Sequence, residues 1–216
     1  MAKGTAQEAY AEIKKRILEE GFYRPSQRLI EAELAEDLKV GRHIIRTALT
    51  RLGAEGLVRI EPNKGATVAT VSLEEARDIL LAREVLEGAA ARLAAERIDD
   101  AMLANLRETL SQMEQALREN QLDRYSQGNV RFHSIIYEAS GSKKVPEVIA
   151  SLRARVVRLQ FRTVLIPGRS ESSFAEHTKI LAAIEAHDAA AAEEAMRAHM
   201  RALRDALSDA HFSLIM

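Results

Sequence analysis

Cysteine is absent from the 216 residues, so neither a disulfide framework nor a thiolate metal site is available. That fits a reducing cytoplasm. Aromatic residues make up only 4% of the chain, and tryptophan is missing. With alanine abundant, this composition suits packed helices better than sheets. No apolar run approaches the ~20 residues of a membrane span. The N-terminus MAKGTAQEAYAEIKKR lacks the apolar core of a signal peptide. Neither sign of charge is in excess, for the formal net charge is -1. By itself that balance argues against a nucleic-acid partner. Hydrophobic residues at 47% exclude wholesale disorder. The length allows one large or two small domains.

What the balance hides is local. From Lys39 to Arg51 the charged residues are Lys39, Arg42, Arg46 and Arg51, with no acid among them. A phosphate backbone feels such local charge, because salt screens interactions beyond roughly 8 Å. Helical periodicity predicts elements over 6–20, 31–38 and 42–54, with a break at Pro25-Ser26 and a turn at Lys39-Val40-Gly41. In the third, Ile45, Ala48, Leu49 and Leu52 form one apolar stripe. The opposite face carries His43, Arg46, Thr47 and Thr50, with Arg42 in the first turn. Leu57–Ile60 and Ala66–Val71 alternate as a hairpin around Pro62-Asn63-Lys64-Gly65. This is the layout of a winged helix-turn-helix, whose second helix enters a DNA major groove. Arginine can grip guanine edges or phosphate, and His43 and Thr47 can reach bases or backbone. Lys64 beside Gly65 would put a charge at the wing tip. The plainer alternative is a solvated basic face on an ordinary helix pair.

Ser72 followed by Glu75 has the form of a capping box for the next helix. From there only helices are predicted, over about 73–96, 99–119, 122–140, 143–165, 172–187 and 189–211. The expected architecture is therefore mainly α: residues 1–71 as the winged domain and 72–216 as an all-α bundle. Three histidines fall on the apolar stripes of their own helices. His133 lies with Tyr125, Phe132 and Ile136; His177 with Ile180, Leu181 and Ile184; His199 with Ala192, Met196 and Leu203. Asn129 is one turn before His133 and faces the same way. Three inward imidazoles can converge on a divalent metal, zinc first, with nickel, manganese or iron as alternatives, and Asn129 could add an amide oxygen. Spacing leaves open that each is simply a hydrogen-bonded core histidine. Arg83 sits within the stripe of Ile79, Leu80, Leu86 and Ala90, where a charge needs a partner. Glu87, one turn on, is one candidate; the carboxylate of a small effector is the other. Arg153, Arg155, Arg158 and Arg162 are further candidates for such a ligand. No acid stands at a general-base spacing such as H-E-x-x-H, which disfavours a metalloenzyme.

These motifs carry a resemblance. Pro25-Ser26-Gln27-Arg28-Leu29, Leu34-Ala35, Val40-Gly41-Arg42, Ile45-Arg46-Thr47-Ala48-Leu49 and Glu55-Gly56-Leu57-Val58 resemble the DNA-binding domain of GntR-family transcription regulators over residues 8–70. Gly41 stands where that family usually has Ser, Ile44 where Pro is frequent, and Ser26 where Gly is frequent. Arg83-Glu84-Val85-Leu86-Glu87, Phe132-His133 with Ala139-Ser140-Gly141, Glu176-His177 and Ala195-Met196-Arg197-Ala198-His199 resemble the FCD effector domain of the FadR subfamily. The first resemblance implies DNA contacts by Arg28, Arg42, Arg46, Lys64 and Gly65. The second implies a metal held at Asn129, His133, His177 and His199, with Asn replacing an Asp, and a small carboxylate effector. Together they imply a homodimeric repressor on a palindromic double-stranded operator, and no enzyme.

Overall fold

A computed structural model of the chain describes residues 5–18, 22–24, 26–61, 65–162 and 166–207. The chain divides into two compact units. One is Met1–Ser72 with Arg153–Val157; the other is Leu73–Leu152 with Arg158–Met216.

In the first unit, α1 (Ala6–Leu18) starts on a capping box: Thr5 N donates to Glu8 Oε2 at 2.7 Å and Glu8 N donates to Thr5 Oγ1 at 3.2 Å. Its Ala9, Tyr10, Ile13 and Ile17 are buried at the helical period. Helices α2 (Glu31–Asp37) and α3 (Arg42–Ala54) are joined by a turn in which Lys39 takes φ 54°. The predicted stripe of α3 is the buried one: Ile45, Ala48, Leu49 and Leu52 pack with the α1 residues and Leu34. The sheet has three strands rather than the two of the predicted hairpin. Arg28–Leu29 (β1) pairs antiparallel with Gly65–Val68 (β3), which also pairs with Val58–Glu61 (β2). Two residues are too few to show a strand's alternation, so β1 carried no sequence signal. It is held by its neighbour, with Ser26 N donating to Val68 O and Val68 N to Gln27 O.

The second unit is helical throughout its described residues: α4 (Leu73–Arg97), α5 (Asp100–Arg118), α6 (Leu122–Ala139), α7 (Lys144–Arg162), α8 (Arg169–Glu185) and α9 (Ala189–Ala206). Asp99 caps α5 through Met102 N at 2.7 Å, and Asp188 caps α9 through Ala191 N at 2.9 Å. The predicted 143–165 helix is interrupted, since Val156 leaves helical geometry at φ -118° and ψ 15°. Helix α8 begins three residues before the predicted 172, because Gly168 at φ 72° turns the chain directly into it. The core joins Leu106, Leu110 and Met113 of α5 to Phe132, Ile135 and Ile136 of α6, Ile180 and Ile184 of α8, and Met196 of α9. Among the described residues no helix is long and apolar enough to cross a membrane.

Because α3 presents both its packing stripe and its polar face, its core contacts also set the polar face. Leu52→Ala, at a position with no exposed surface, is expected to cost about 2–5 kcal/mol. Urea unfolding should show the loss, and an unchanged midpoint would contradict this packing.

Candidate functional site

The polar face of α3 lies in solvent. Arg42, His43, Arg46 and Thr47 are all exposed, as are Arg28 on β1 and Gly65 at the start of β3. Lys64 lies outside the described residues. Gly65 has φ 87°, a conformation costly for any residue with a Cβ. Arg46 is held by an acid of α2: its Nε and Nη2 lie 3.1 and 2.7 Å from the two oxygens of Glu31. Arg51, the last of the basic run, is turned away from this duty. Its guanidinium lies 3.9 Å over the Tyr10 ring and 3.7 Å from Glu55. Thr47 Oγ1 donates to His43 O at 3.0 Å, one turn back. At Gly41 the helix gains room rather than flexibility, since its φ of -71° suits any residue. A Cβ there would meet the His43 ring, Cε1 and Nδ1, at 2.8 Å. A serine at 41 would therefore push His43 to another rotamer.

In the helical unit the three stripe histidines meet. His133 (α6), His177 (α8) and His199 (α9) are buried, and each offers a ring nitrogen within 4.8 Å of the others. Ring centroids are 5.3 Å apart for His133–His177, 5.3 Å for His133–His199 and 4.5 Å for His177–His199. Each Nδ1 is engaged outward. His133 Nδ1 is 2.9 Å from Glu87 Oε2, His199 Nδ1 is 2.6 Å from Glu176 Oε2, and His177 Nδ1 is 3.4 Å from Ser173 Oγ. Assigning the protons to Nδ1 leaves the Nε2 lone pairs pointing inward. His133 Nε2 and His177 Nε2 face each other at 3.2 Å. Two lone pairs at that distance repel unless a cation or proton lies between them. Asn129 Oδ1 is also buried and has no hydrogen-bond donor. A set of inward acceptors oriented by outer carboxylates matches what a divalent metal requires.

The outer carboxylates are themselves held. Glu87 on α4 has no solvent exposure and accepts from Arg83 at 2.7 Å and from Tyr137 Oη at 2.7 Å. Burial pushes its pKa up, but the Arg83 charge and the bonds from His133 and Tyr137 outweigh this and hold it well below the usual carboxylate range. Glu176 takes a bidentate pair from Arg169, at 3.0 and 2.7 Å. Burial again acts upward, and His199 and Arg169 bring the net shift down. Burial, followed by the neighbouring His199 and His133, drives His177 well below the ordinary 6.5, so its ring is neutral. Arg83 thus meets Glu87, the helix-spacing alternative to an effector carboxylate. Arg153 is half-buried, and the side chains of Arg155, Arg158 and Arg162 lie outside the described residues. Sequence reasoning missed Glu176 and Arg169 as supports. Their seven-residue spacing puts both on one face of α8, but the His199 contact comes from another helix.

A winged helix-turn-helix with an exposed basic face, followed along the chain by a helical unit with three clustered buried histidines, points to a DNA-binding transcription regulator. Comparison with known proteins gives its family. The profile described as "Bacterial regulatory proteins, gntR family" matches residues 5–68, and that of the FCD domain matches residues 78–202. The HTH-type transcriptional repressor GlaR of Escherichia coli K12 is 31% identical over 204 residues, covering 91% of this chain and 92% of that protein. The HTH-type transcriptional repressor RspR of the same strain is 26% identical, covering 90% and 86%. The solved structure of E. coli McbR/YncC superposes with a TM-score of 0.75 at 26% identity, covering 91% of this chain and 93% of that one. The chain belongs to the GntR family of transcriptional regulators, in the branch with an FCD domain. Its relatives are regulators rather than enzymes.

The buried centre makes stability depend on pH in a defined direction. Glu87 and Glu176 have lowered folded pKa values, so their contribution is present above the ordinary 4.5 and is lost as pH falls through the folded values. Folded His177 resists protonation, whereas the unfolded chain takes that proton below about 6.5. Metal-free protein should therefore lose stability from about pH 6.5 downward, by up to about 1.4 kcal/mol per pH unit for each such proton. Urea unfolding with chelator at pH 7.5 and 5.5 measures this, and His177→Gln should flatten the difference. Equal stability at the two pH values would remove His177 from the account.

Proposed function

We propose that this chain is a ligand-responsive repressor that binds a palindromic operator as a homodimer. In this reading α3 enters the major groove, with Arg42 and Arg46 at base edges or phosphates and His43 and Thr47 beside them. Arg28, Lys64 and Gly65 contact the flanking backbone. A two-fold dimer presents two such helices to two half-sites. The repressor names of GlaR and RspR support the direction of regulation.

The input is a divalent metal with a small carboxylate. His133, His177 and His199 would hold the ion through Nε2, with Asn129 Oδ1 as the fourth donor. Zinc suits neutral imidazoles, and nickel, manganese and iron are alternatives. A bound ion supplies positive charge that can hold an effector carboxylate. One observation carries this reading: three buried imidazoles meet with each Nδ1 engaged outward, and one turn before His133 the buried amide oxygen of Asn129 has no donor. The effector can act only if it binds two arrangements of the dimer unequally. A second reading gains from Arg83, whose charge is already taken by Glu87. With that guanidinium taken, the metal alone would be the signal. Titrating zinc alone, and zinc with carboxylates, into a protein–operator complex separates the two.

Arg42→Ala and Arg46→Ala should each weaken binding to the upstream DNA of the protein's own gene by roughly tenfold or more. A lost phosphate contact should also lower the salt slope by about 0.9. Fluorescence anisotropy at fixed salt decides, and parental affinity in both variants would sink the α3 assignment. Glu176→Gln should lower zinc affinity roughly 10–100-fold by loosening His199. Competition with a chromophoric chelator measures it; an unchanged affinity would mean that Glu176 does not orient the ligand.

A further inference from the structure

The small sheet of the first unit carries a charged row that helix α3 does not supply. Strand alternation points Leu29, Val58, Ala66 and Val68 into the core, where all four are buried. Arg28, Arg59 and Thr67 therefore face the other way, and both arginines are exposed. The register sets the three side by side. Arg28 stands opposite Thr67 in one pairing, and Arg59 stands opposite Thr67 in the other. Strands lie about 4.8 Å apart, so the arginines flank a short residue at roughly 10 Å from Cα to Cα. Thr67 Oγ1 spends its proton on Arg59 O at 3.4 Å, a long bond that is easily given up. Gly65, two residues before Thr67 on β3, lies on the same side, so this face runs on to the wing turn. Glu61 is the one acid of these strands. It stands opposite Gly65, two residues along β2 from the row, and its side chain lies outside the described residues.

The partners of the arginines set this row apart. In the helical unit every arginine whose side chain is described donates to a carboxylate, a carbonyl or an amide oxygen. Among the described residues, the guanidinium groups of Arg24, Arg28, Arg42 and Arg59 have no such partner, and all four belong to the first unit. Two like charges held this close fall within roughly one Debye length, so their fields add. A row of that kind is matched by a polyanion that can offer oxygen to both arms, and guanidinium pairs with phosphate bidentately. We infer that the outer face of this sheet is a second surface for the phosphate backbone of the bound DNA, with Arg59 as its added contact and Arg28 beside it across Thr67. The inference rests on DNA binding by this unit and goes beyond the contacts of α3 and the wing turn. Arg59 grips phosphate and reads no base, so it raises affinity for any sequence alike.

The test uses the full chain and two duplexes of equal length: the DNA upstream of its own gene and a scrambled sequence. Fluorescence anisotropy over a salt series gives affinity and salt slope. Arg59→Ala should weaken binding to both duplexes alike, by about fivefold at ~0.15 M salt, and lower the slope by about 0.9. Arg59→Lys should keep the slope, because it keeps the charge. Arg118→Ala removes an exposed arginine from α5 and should change neither quantity. Ethylation interference should find a phosphate whose blocking weakens the parent but not Arg59→Ala. Parental affinity and slope in Arg59→Ala overturn the inference; a loss in Arg42→Ala on the same duplexes then leaves the α3 assignment standing. An equal loss in Arg118→Ala also overturns it, since net charge and not a contact would be at work. Absence of binding by the parent to either duplex overturns DNA binding itself. Should Arg59→Ala lower the urea midpoint, Arg59→Gln, which keeps a long polar side chain, takes its place with the same expected loss.

Discussion

Glu87 has no exposed surface, and much of the helical unit is arranged around that fact. A carboxylate removed from water must be matched by charge and by hydrogen bonds, or it takes up a proton. Arg83 supplies the charge from one turn earlier on α4. Tyr137 and His133 supply the bonds from α6. Removing one partner of a buried pair of this kind typically costs about 3–5 kcal/mol, so the three groups constrain one another. A simpler pairing of arginine and glutamate would have left the imidazole free to rotate. With His133 fixed through Nδ1, its other nitrogen has one direction to face, and that direction is the cluster. Arg169 and Glu176 repeat the device for His199 from α8.

This arrangement draws one residue from each of four helices into a small volume: Glu87 from α4, His133 from α6, His177 from α8 and His199 from α9. A ligand held there would act on four helices at once, through side chains that burial and hydrogen bonds keep from adjusting independently. Packed interiors respond to such a change by shifting elements rather than by local give. Helix α4 occupies a special place in this set. It buries Glu84 against arginines of α9 and Glu87 against α6, so two successive turns tie it to different helices.

The elements were largely legible in the sequence because burial imprints a period. The stripe of Ile45, Ala48, Leu49 and Leu52 defined α3 and, by subtraction, its exposed polar face. The three histidines could be singled out because each occupied an apolar position on its own helix. That they meet was not legible: helical spacing fixes which way a side chain points, not what faces it across the core. The same limit hid the Glu176–His199 contact. Glu87 was visible as a neighbour of Arg83, four residues apart, but not as the partner of His133, forty-six residues away. Strand β1 was too short to alternate, and the break at Val156 follows no proline or glycine.

The basic run shows why counting charges along a sequence overstates a binding face. Its arginines look equivalent in the sequence, yet the fold gives them different tasks. Arg51 lies over Tyr10 beside Glu55, which also accepts from Tyr10 Oη at 2.6 Å and from Lys14 at 2.8 Å. It serves the packing of α1 on α3, and taking it for DNA would expose that contact. Arg46 is paired in solvent with Glu31, and an exposed pair contributes little, because water already screens both charges. A phosphate or a guanine edge can replace Glu31 at small cost. Until then the acid keeps the guanidinium extended and partly neutralises the face. Affinity for unspecific polyanions should therefore be damped, consistent with a chain whose net charge is only -1. Gly41 serves the same face by a different route. By leaving room for the His43 ring, it lets an imidazole lie over the first turn of α3.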